Sequence, residues 1–420
     1  MDVKKIIKIF YIGYTVYMIM VIGTTNLTFL MIFPSIALMW INYFVFSIGY
    51  NIKKTKRLSE SAHKYSNNWL LNRKRFSLLL IAVFSILFSI AVVYYYTGQT
   101  PIDVFTNLAN NISVYYVYQN YFRAQERYLF SITKIPFVLM LFYLKFILFY
   151  SYVSFLVMKE NITLFEKFYL LIIALSYIYI GVARGTSFEF FELLTLVIYV
   201  MFSRYRYKKQ ALISTKAVII SLILGSLGVY IFIGGINARG VQFDPSILRP
   251  EVNYNPNRWL PTLFPLLATI VFRMYDYFGF GFFYVSKYVS DVWFSSLGNF
   301  VSGILPLGYQ AYSGDSIRDI MGNLIYIGVR WHPDFALLVN NVGYLGLLWI
   351  CFLMGFFSKY FCIIEGKSPI VELTNYIILL QMISLPVGNF LFTSSASKLI
   401  VMFLSLYWFW RLFINRGIIL

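Results

Sequence analysis

Apolar runs of span length recur along the whole chain, separated by short polar or basic stretches. They can be drawn at 9–23, 27–49, 76–97, 132–157, 168–183, 187–202, 217–235, 336–357, 370–391 and 395–414. Each approaches the roughly 20 residues that a helix needs to cross a bilayer. The pattern predicts an all-α polytopic membrane protein of about 10–12 transmembrane helices in one membrane domain, 1–420. Two further crossings inside 236–335 would leave the alternation of sides unchanged and bring the count to 12.

Three segments interrupt the simple alternation. Residues 53–75 are basic with some apolar positions and read as an amphipathic loop. Residues 98–131 are rich in Tyr and Asn. Residues 236–335 form a long loop that opens with Pro245, Pro250, Pro256, Pro261 and Pro265, too many prolines for a span. The apolar stretch that follows is broken by Arg273, Asp276, Lys287 and Asp291. This combination predicts interfacial or re-entrant helices packed on protein.

Charge sorts by side. "MDVKK", "KKTKR…NRKR", "KENITLFEK", "SRYRYKKQ", "SKYFCIIEGK" and "RLFINRG" all fall on one side of the drawn spans. The positive-inside rule makes that side cytoplasmic, with both termini inside and 98–131 and 236–335 external. The formal net charge of +18 is therefore read as topology and lipid contact, with no nucleic acid as partner. The N-terminal run reads as a retained anchor, since no small-residue cleavage site follows it. A composition 60% hydrophobic and only 12% charged, with mean hydropathy +0.70, agrees with a membrane protein.

Candidate chemistry is sparse. Two histidines and two cysteines, scattered, make no metal site, and no phosphate loop points to ATP. Cys351 and Cys362 lie at or beyond the cytoplasmic end of a span, where a disulfide is not expected. The external side is unusual in gathering Arg184, Arg239, Arg249, Arg258, Arg273, Arg318 and Arg330. The positive-inside rule should deplete that side of Arg. Arginine's planar fork matches phosphate oxygens in bidentate fashion, which points to a phosphate or diphosphate ligand. Pairing with Asp244, Glu251, Asp315 and Asp319 is the structural alternative.

In "VARGTSFEFFELL", Thr186 and Glu189 fit a capping box, and Arg184 is the local partner expected for the deeper Glu192. In "VRWHPDFALLVNNVGYLG", Pro333 suits the first helical position and places Asp334 in the first turn, where the helix dipole favours a carboxylate. His332 titrates in the range wanted of a general base, and Arg330 adds an anion-binding group beside it. Asn340 and Asn341 lie deeper in the same helix, and Gly343 and Gly346 would allow close helix packing.

Three of these stretches carry a resemblance: "GVARGTSFEFFELLTLVIYV", "GGINARG" and "WHPDFALLVNNVGYLGLLW", the last with Asn341, Gly343 and Gly346 spaced N-x-G-x-x-G. Their order resembles the Wzy-type polysaccharide polymerases, the O-antigen polymerase group of the O-antigen polymerase/ligase superfamily. The likeness covers about 180–350, and the N-terminal half matches in hydropathy only. It implies a glycosyltransferase of the bacterial inner membrane that joins oligosaccharide repeat units carried on polyprenyl diphosphate, for O-antigen or capsule. Membrane lipid and a chain-length regulator are further partners it suggests. The family's diphosphate-binding arginines and acceptor-side histidine carry over to Arg184, Arg239 and His332, with Arg249, Arg258, Arg273 and Arg330 as further binding candidates. Asp334, where the family has Ser or Thr, would orient His332 or act as base itself. Arginine donors would stabilise the leaving diphosphate without a metal or other cofactor. Trp259, Trp293 and Trp331 could stack sugars. A ligase-like transferase and a lipid-linked oligosaccharide flippase or transporter are the alternatives. The flippase would spread its charges through the spans to line a central cavity.

Overall fold

The computed structural model describes residues 3–52, 70, 75–110, 112–127, 131–159, 161–207, 252–295, 333–365, 368–388 and 394–417. In chain order the helices are α1 (Val3–Ile22), α2 (Phe29–Asn51), α3 (Arg75–Thr97), α4 (Pro101–Ala109), α5 (Val114–Ala124), α6 (Ile135–Tyr152), α7 (Leu164–Arg184) and α8 (Phe188–Tyr207). There follow α9 (Trp259–Leu263), α10 (Pro265–Met274), α11 (Phe280–Ser295), α12 (Asp334–Glu365), α13 (Pro369–Val387) and α14 (Ser395–Gly417). A 3₁₀ turn precedes α6 and a π-helical turn continues it to Met158. No strand occurs among the described residues, and seven helical stretches there are long and apolar enough to cross a membrane. The chain is an all-α, multi-pass membrane protein.

Local chemistry starts and stops these helices. α7 opens on a capping box in which Thr163 accepts from the Glu166 amide while the Glu166 carboxylate accepts from the Thr163 amide. α13 starts at Pro369 behind Ser368, whose hydroxyl accepts from the Val371 amide. α7 ends at Gly185 in the left-handed conformation (φ 62°), which a glycine adopts without steric cost.

The helices alternate in direction between two faces, one marked by Thr25 in the α1–α2 turn and the other by Asn51. α2 and α12 run parallel: Asn42 meets Cys351, Phe46 meets Gly355, and Tyr50 meets Lys359. The pair packs backbone to backbone. A Cβ added at Gly49 would lie 2.1 Å from the Phe352 carbonyl oxygen, and one at Gly355 would lie 2.0 Å from that of Phe46. Small residues at such a crossing let helices approach where lipid offers no hydrophobic drive. Gly343 and Gly346 were expected to do this work. Gly343 instead breaks α12 with φ 69° and ψ 175°.

α13 is the central post. The Tyr11 hydroxyl donates to the Met382 carbonyl and the Tyr14 hydroxyl to that of Pro386. Tyr14 lies about 12 Å before the end of α1 at a rise of about 1.5 Å per residue. α13 therefore stops short of the Thr25 face, within the thickness of the bundle, and ends at Gly388 (φ 92°). A helix end at that depth is tolerated only where protein or water meets its free carbonyls.

The stretch 252–264 sits on the α1–α2 turn. Asn255 donates to the Thr24 carbonyl, Asn26 to that of Asn253, and Leu260 to that of Gly23. From there α10 dips inward, and the Phe278 carbonyl accepts from Tyr14. α11 then packs on α2, where Ser35 donates to the Phe282 carbonyl. α8 ends at the Asn51 face and Val252 lies at the Thr25 face. The expected span between them, 217–235, lies outside the described residues, as does most of the loop 53–75.

Candidate functional site

Arg184 closes α7 at the Thr25 face. Its Nη1 donates to Glu189 Oε1 at 2.9 Å, and its guanidinium lies 5.4 Å from the Tyr118 ring of α5. Its Nε is buried with no hydrogen-bond partner among the described residues. Gly185 makes this corner possible twice over. It takes the left-handed backbone, and a Cβ there would stand 2.9 Å from Tyr115.

The capping box expected at Thr186 is not formed. α8 begins at Phe188, so Thr186 lies outside the cap position. Its hydroxyl donates to the Glu189 carboxylate at 3.0 Å. Glu189 thus bridges Arg184 and Thr186, and it is almost wholly buried.

The expected partner of Glu192 is also corrected. Arg184 is taken by Glu189, and Glu192 pairs instead with Lys145 of α6 at 2.6 Å. Both side chains are buried, 0% and 1% exposed, which makes this an ion pair in the bundle interior. The Tyr177 hydroxyl donates to the other Glu192 oxygen, and Lys145 also donates to Ser397 of α14. Lys145 lies midway along the apolar stretch Ile132–Met158, about 20 Å from either end. A charge there is expensive unless paired and hydrogen-bonded.

Polar groups continue from this pair toward the Asn51 face. The Tyr376 hydroxyl donates to the Glu192 carbonyl at 2.9 Å and lies 3.2 Å from the Thr195 hydroxyl. The Tyr199 hydroxyl donates to Glu372 Oε2 at 2.6 Å. Sequence reasoning passes over Lys145, Tyr177, Tyr199, Glu372 and Tyr376. The available signal was a lone cation inside "FVLMLFYLKFILFYSYV" and a lone carboxylate inside "PIVELTNYIILL".

Asp334 sits in the first turn of α12, as expected, but not at a mouth. It is fully buried, and Gln381 Nε2 donates to its Oδ2 at 3.3 Å. Gln381 adjoins Met382, the acceptor of Tyr11, about 16 Å from the end of α1. Gln381 and Tyr376 project from roughly opposite sides of α13, given about 100° per residue. The Asp334 contact and the Glu192 cluster thus flank one central helix.

Of the other arginines, Arg258 Nε donates to the Thr25 carbonyl at 3.0 Å and its Nη2 to that of Leu27 at 3.5 Å. Those bonds staple the α1–α2 turn. Arg273 is half-buried in the last turn of α10. Arg239, Arg249, Arg318, Arg330 and His332 lie outside the described residues. Trp259 packs on Gly23, and Trp331 lies outside the description.

Chemically, two centres stand out. At the Thr25 face, Arg184 is fixed along one edge and keeps a buried donor for an anion. In the interior, Lys145 and Glu192 neutralise one another and tie α6, α7, α8 and α14 together. Comparison with protein-family models, with curated proteins and with solved structures finds no match.

Proposed function

We propose that this protein is a polysaccharide polymerase of the Wzy type, joining oligosaccharide units on polyprenyl diphosphate at the outer face of a bacterial inner membrane. The observation that carries the reading is the setting of Arg184. A carboxylate fixes one edge of its guanidinium, an aromatic face covers it, and its buried Nε remains to donate. Such a group is preorganised for phosphate oxygens. The Thr25 face is the outer one in this reading, because the basic clusters belong to the other.

In the reaction, an acceptor sugar hydroxyl attacks the anomeric carbon of the donor as its bond to the diphosphate oxygen breaks. The hydroxyl proton goes to a base, for which His332 is the first choice by sequence. The diphosphate leaves with the bonding pair, and Arg184 with Arg239 takes up the growing charge. Asp334 is given the lesser part of an N-terminal helix carboxylate held by Gln381.

Complementation of a polymerase-null strain tests this, scored by the ladder of surface glycan lengths. Arg184→Ala, Arg239→Ala and His332→Ala should each collapse the ladder to single repeats. Normal ladders from all three at normal expression would overturn the site. A second reading, a lipid-linked oligosaccharide flippase or transporter, is favoured by the charges inside the spans at Lys145 and Glu192. A null strain that still displays single repeats at its surface supports the polymerase, and one that displays none supports the flippase.

A further inference from the structure

The connection between α3 and α6 carries an unusual helix. α4 is short, firmly capped and three-faced. Thr100 accepts from the Asp103 amide while the Asp103 carboxylate accepts from the Thr100 amide and hydroxyl, with Pro101 at the first position. At about 100° per residue its positions sort cleanly around the axis. One side faces the protein: Val104 is fully buried, and Asn107 donates to Gln99 at 3.0 Å. A second side is polar and exposed, with Asp103, Thr106 and Asn110. The third is apolar and exposed, with Ile102 at 78%, Phe105 at 63% and Ala109.

Exposed apolar residues also mark the elements that flank α4 in the chain. Ile112 just beyond α4 and Ile132 before α6 are also exposed. So are Leu87 and Tyr94 of α3 and Ile135 and Leu139 of α6, positions on helices of membrane-spanning length. The same connection carries cations. Arg123 is exposed in the last turn of α5, Arg127 lies 4.0 Å over the Tyr95 ring, and Lys134 donates to the Arg127 carbonyl. An exposed apolar side and a separate polar side, in a connection that carries cations and joins two helices of membrane-spanning length, make the pattern of a helix lying in a bilayer interface.

We infer that α4 is a membrane-docked helix whose partner is the phospholipid bilayer, with Ile102 and Phe105 among the acyl chains and Arg127 and Lys134 at the lipid phosphates. The hydrogen bonds from Thr100 hold the Asp103 carboxyl below its ordinary range, which keeps the water side charged. The segment is then no free loop. α4 and α5 cover the corner at Arg184 through Asn107, Gln99, Tyr115 and Tyr118, so that corner is roofed by an element anchored in lipid. The inference is independent of which reaction the protein performs.

The test uses full-length protein with Cys351→Ala and Cys362→Ala, reconstituted in phosphatidylethanolamine–phosphatidylglycerol vesicles. A nitroxide is attached through Phe105→Cys, Ile102→Cys or Thr106→Cys, one at a time. Power saturation then compares apolar oxygen with a water-soluble nickel chelate as relaxing agent. Oxygen should dominate at 105 and at 102, and the chelate at 106. Equal chelate access at all three positions would overturn the docking. The two apolar sites are read independently, so a folding failure at one leaves the other to decide.

Discussion

Lys145 and Glu192, on helices adjacent in space but separated in sequence by α7, meet at 2.6 Å with both side chains out of contact with solvent. Their charges cancel, and Tyr177 and Ser397 take up further hydrogen-bonding capacity. Removing one charge leaves the other stranded in a medium that cannot solvate it.

Lys145→Met and Glu192→Leu should each destabilise the protein by about 3–5 kcal/mol. The double replacement should recover most of that loss, because the stranded charge is gone. Thermal unfolding of the detergent-purified proteins, arranged as a double-mutant cycle, reads the difference. Additive losses in the double variant would show that the two residues are not coupled.

Gly355→Ala should be costly and Gly13→Ala should not. A Cβ at Gly355 would lie 2.0 Å from a backbone carbonyl oxygen of α2, whereas one at Gly13 meets nothing within 4 Å. Overpacking against backbone costs about 1–3 kcal/mol or more, so Gly355→Ala should lose monodispersity in size-exclusion chromatography at temperatures where Gly13→Ala is intact.

Gly185→Ala combines two penalties. The left-handed backbone costs a residue with a Cβ about 1–2 kcal/mol, and the new methyl would press on Tyr115. A fall in melting temperature larger than that of Gly13→Ala is expected. The close atoms are the Cβ, N and Cα of Tyr115, which alanine keeps, so Tyr115→Ala should not rescue the variant.

Glu189→Gln should weaken function more than fold. The neutral amide can still accept a hydrogen bond from Arg184 but no longer balances its charge, so the guanidinium is held less firmly. Under the polymerase reading the surface ladder should shorten at unchanged expression, and Arg184→Lys should behave similarly, because a point charge cannot replace the fork. A normal ladder in both variants would count against Arg184 as an anion ligand.

Hydropathy placed the helices well. The expected spans 76–97 and 132–157 coincide almost residue for residue with α3 and with the stretch Ile132–Met158. Bilayer thickness imposes a length that any apolar run must meet, so the signal is local and strong. The interior was not legible. Glu192 finds its partner across α7, and no period in the sequence links it to Lys145. The nearer Arg184 was the reasonable local choice, yet helix geometry gave it to Glu189, which stands at the corner itself. Asp334 does stand in the first turn of α12, with Pro333 just before the helix rather than at its first position, but a cap rule says nothing of how deep that turn lies. Gly49 and Gly355 escape sequence reasoning for the same reason: they matter through a neighbour that only the fold supplies.

The parallel seam between α2 and α12 has a consequence for how the chain is made. Asn42 and Cys351 are 309 residues apart. At about 5–20 residues per second, roughly 15–60 s pass between synthesis of the two faces. During that interval the groove at Gly49 has no native filler, and α2 must wait in the bilayer with lipid or an insertion chaperone against it. The last quarter of the chain is therefore what locks the first hairpin in place, and truncation from the C-terminus should release the N-terminal helices to the quality-control proteases.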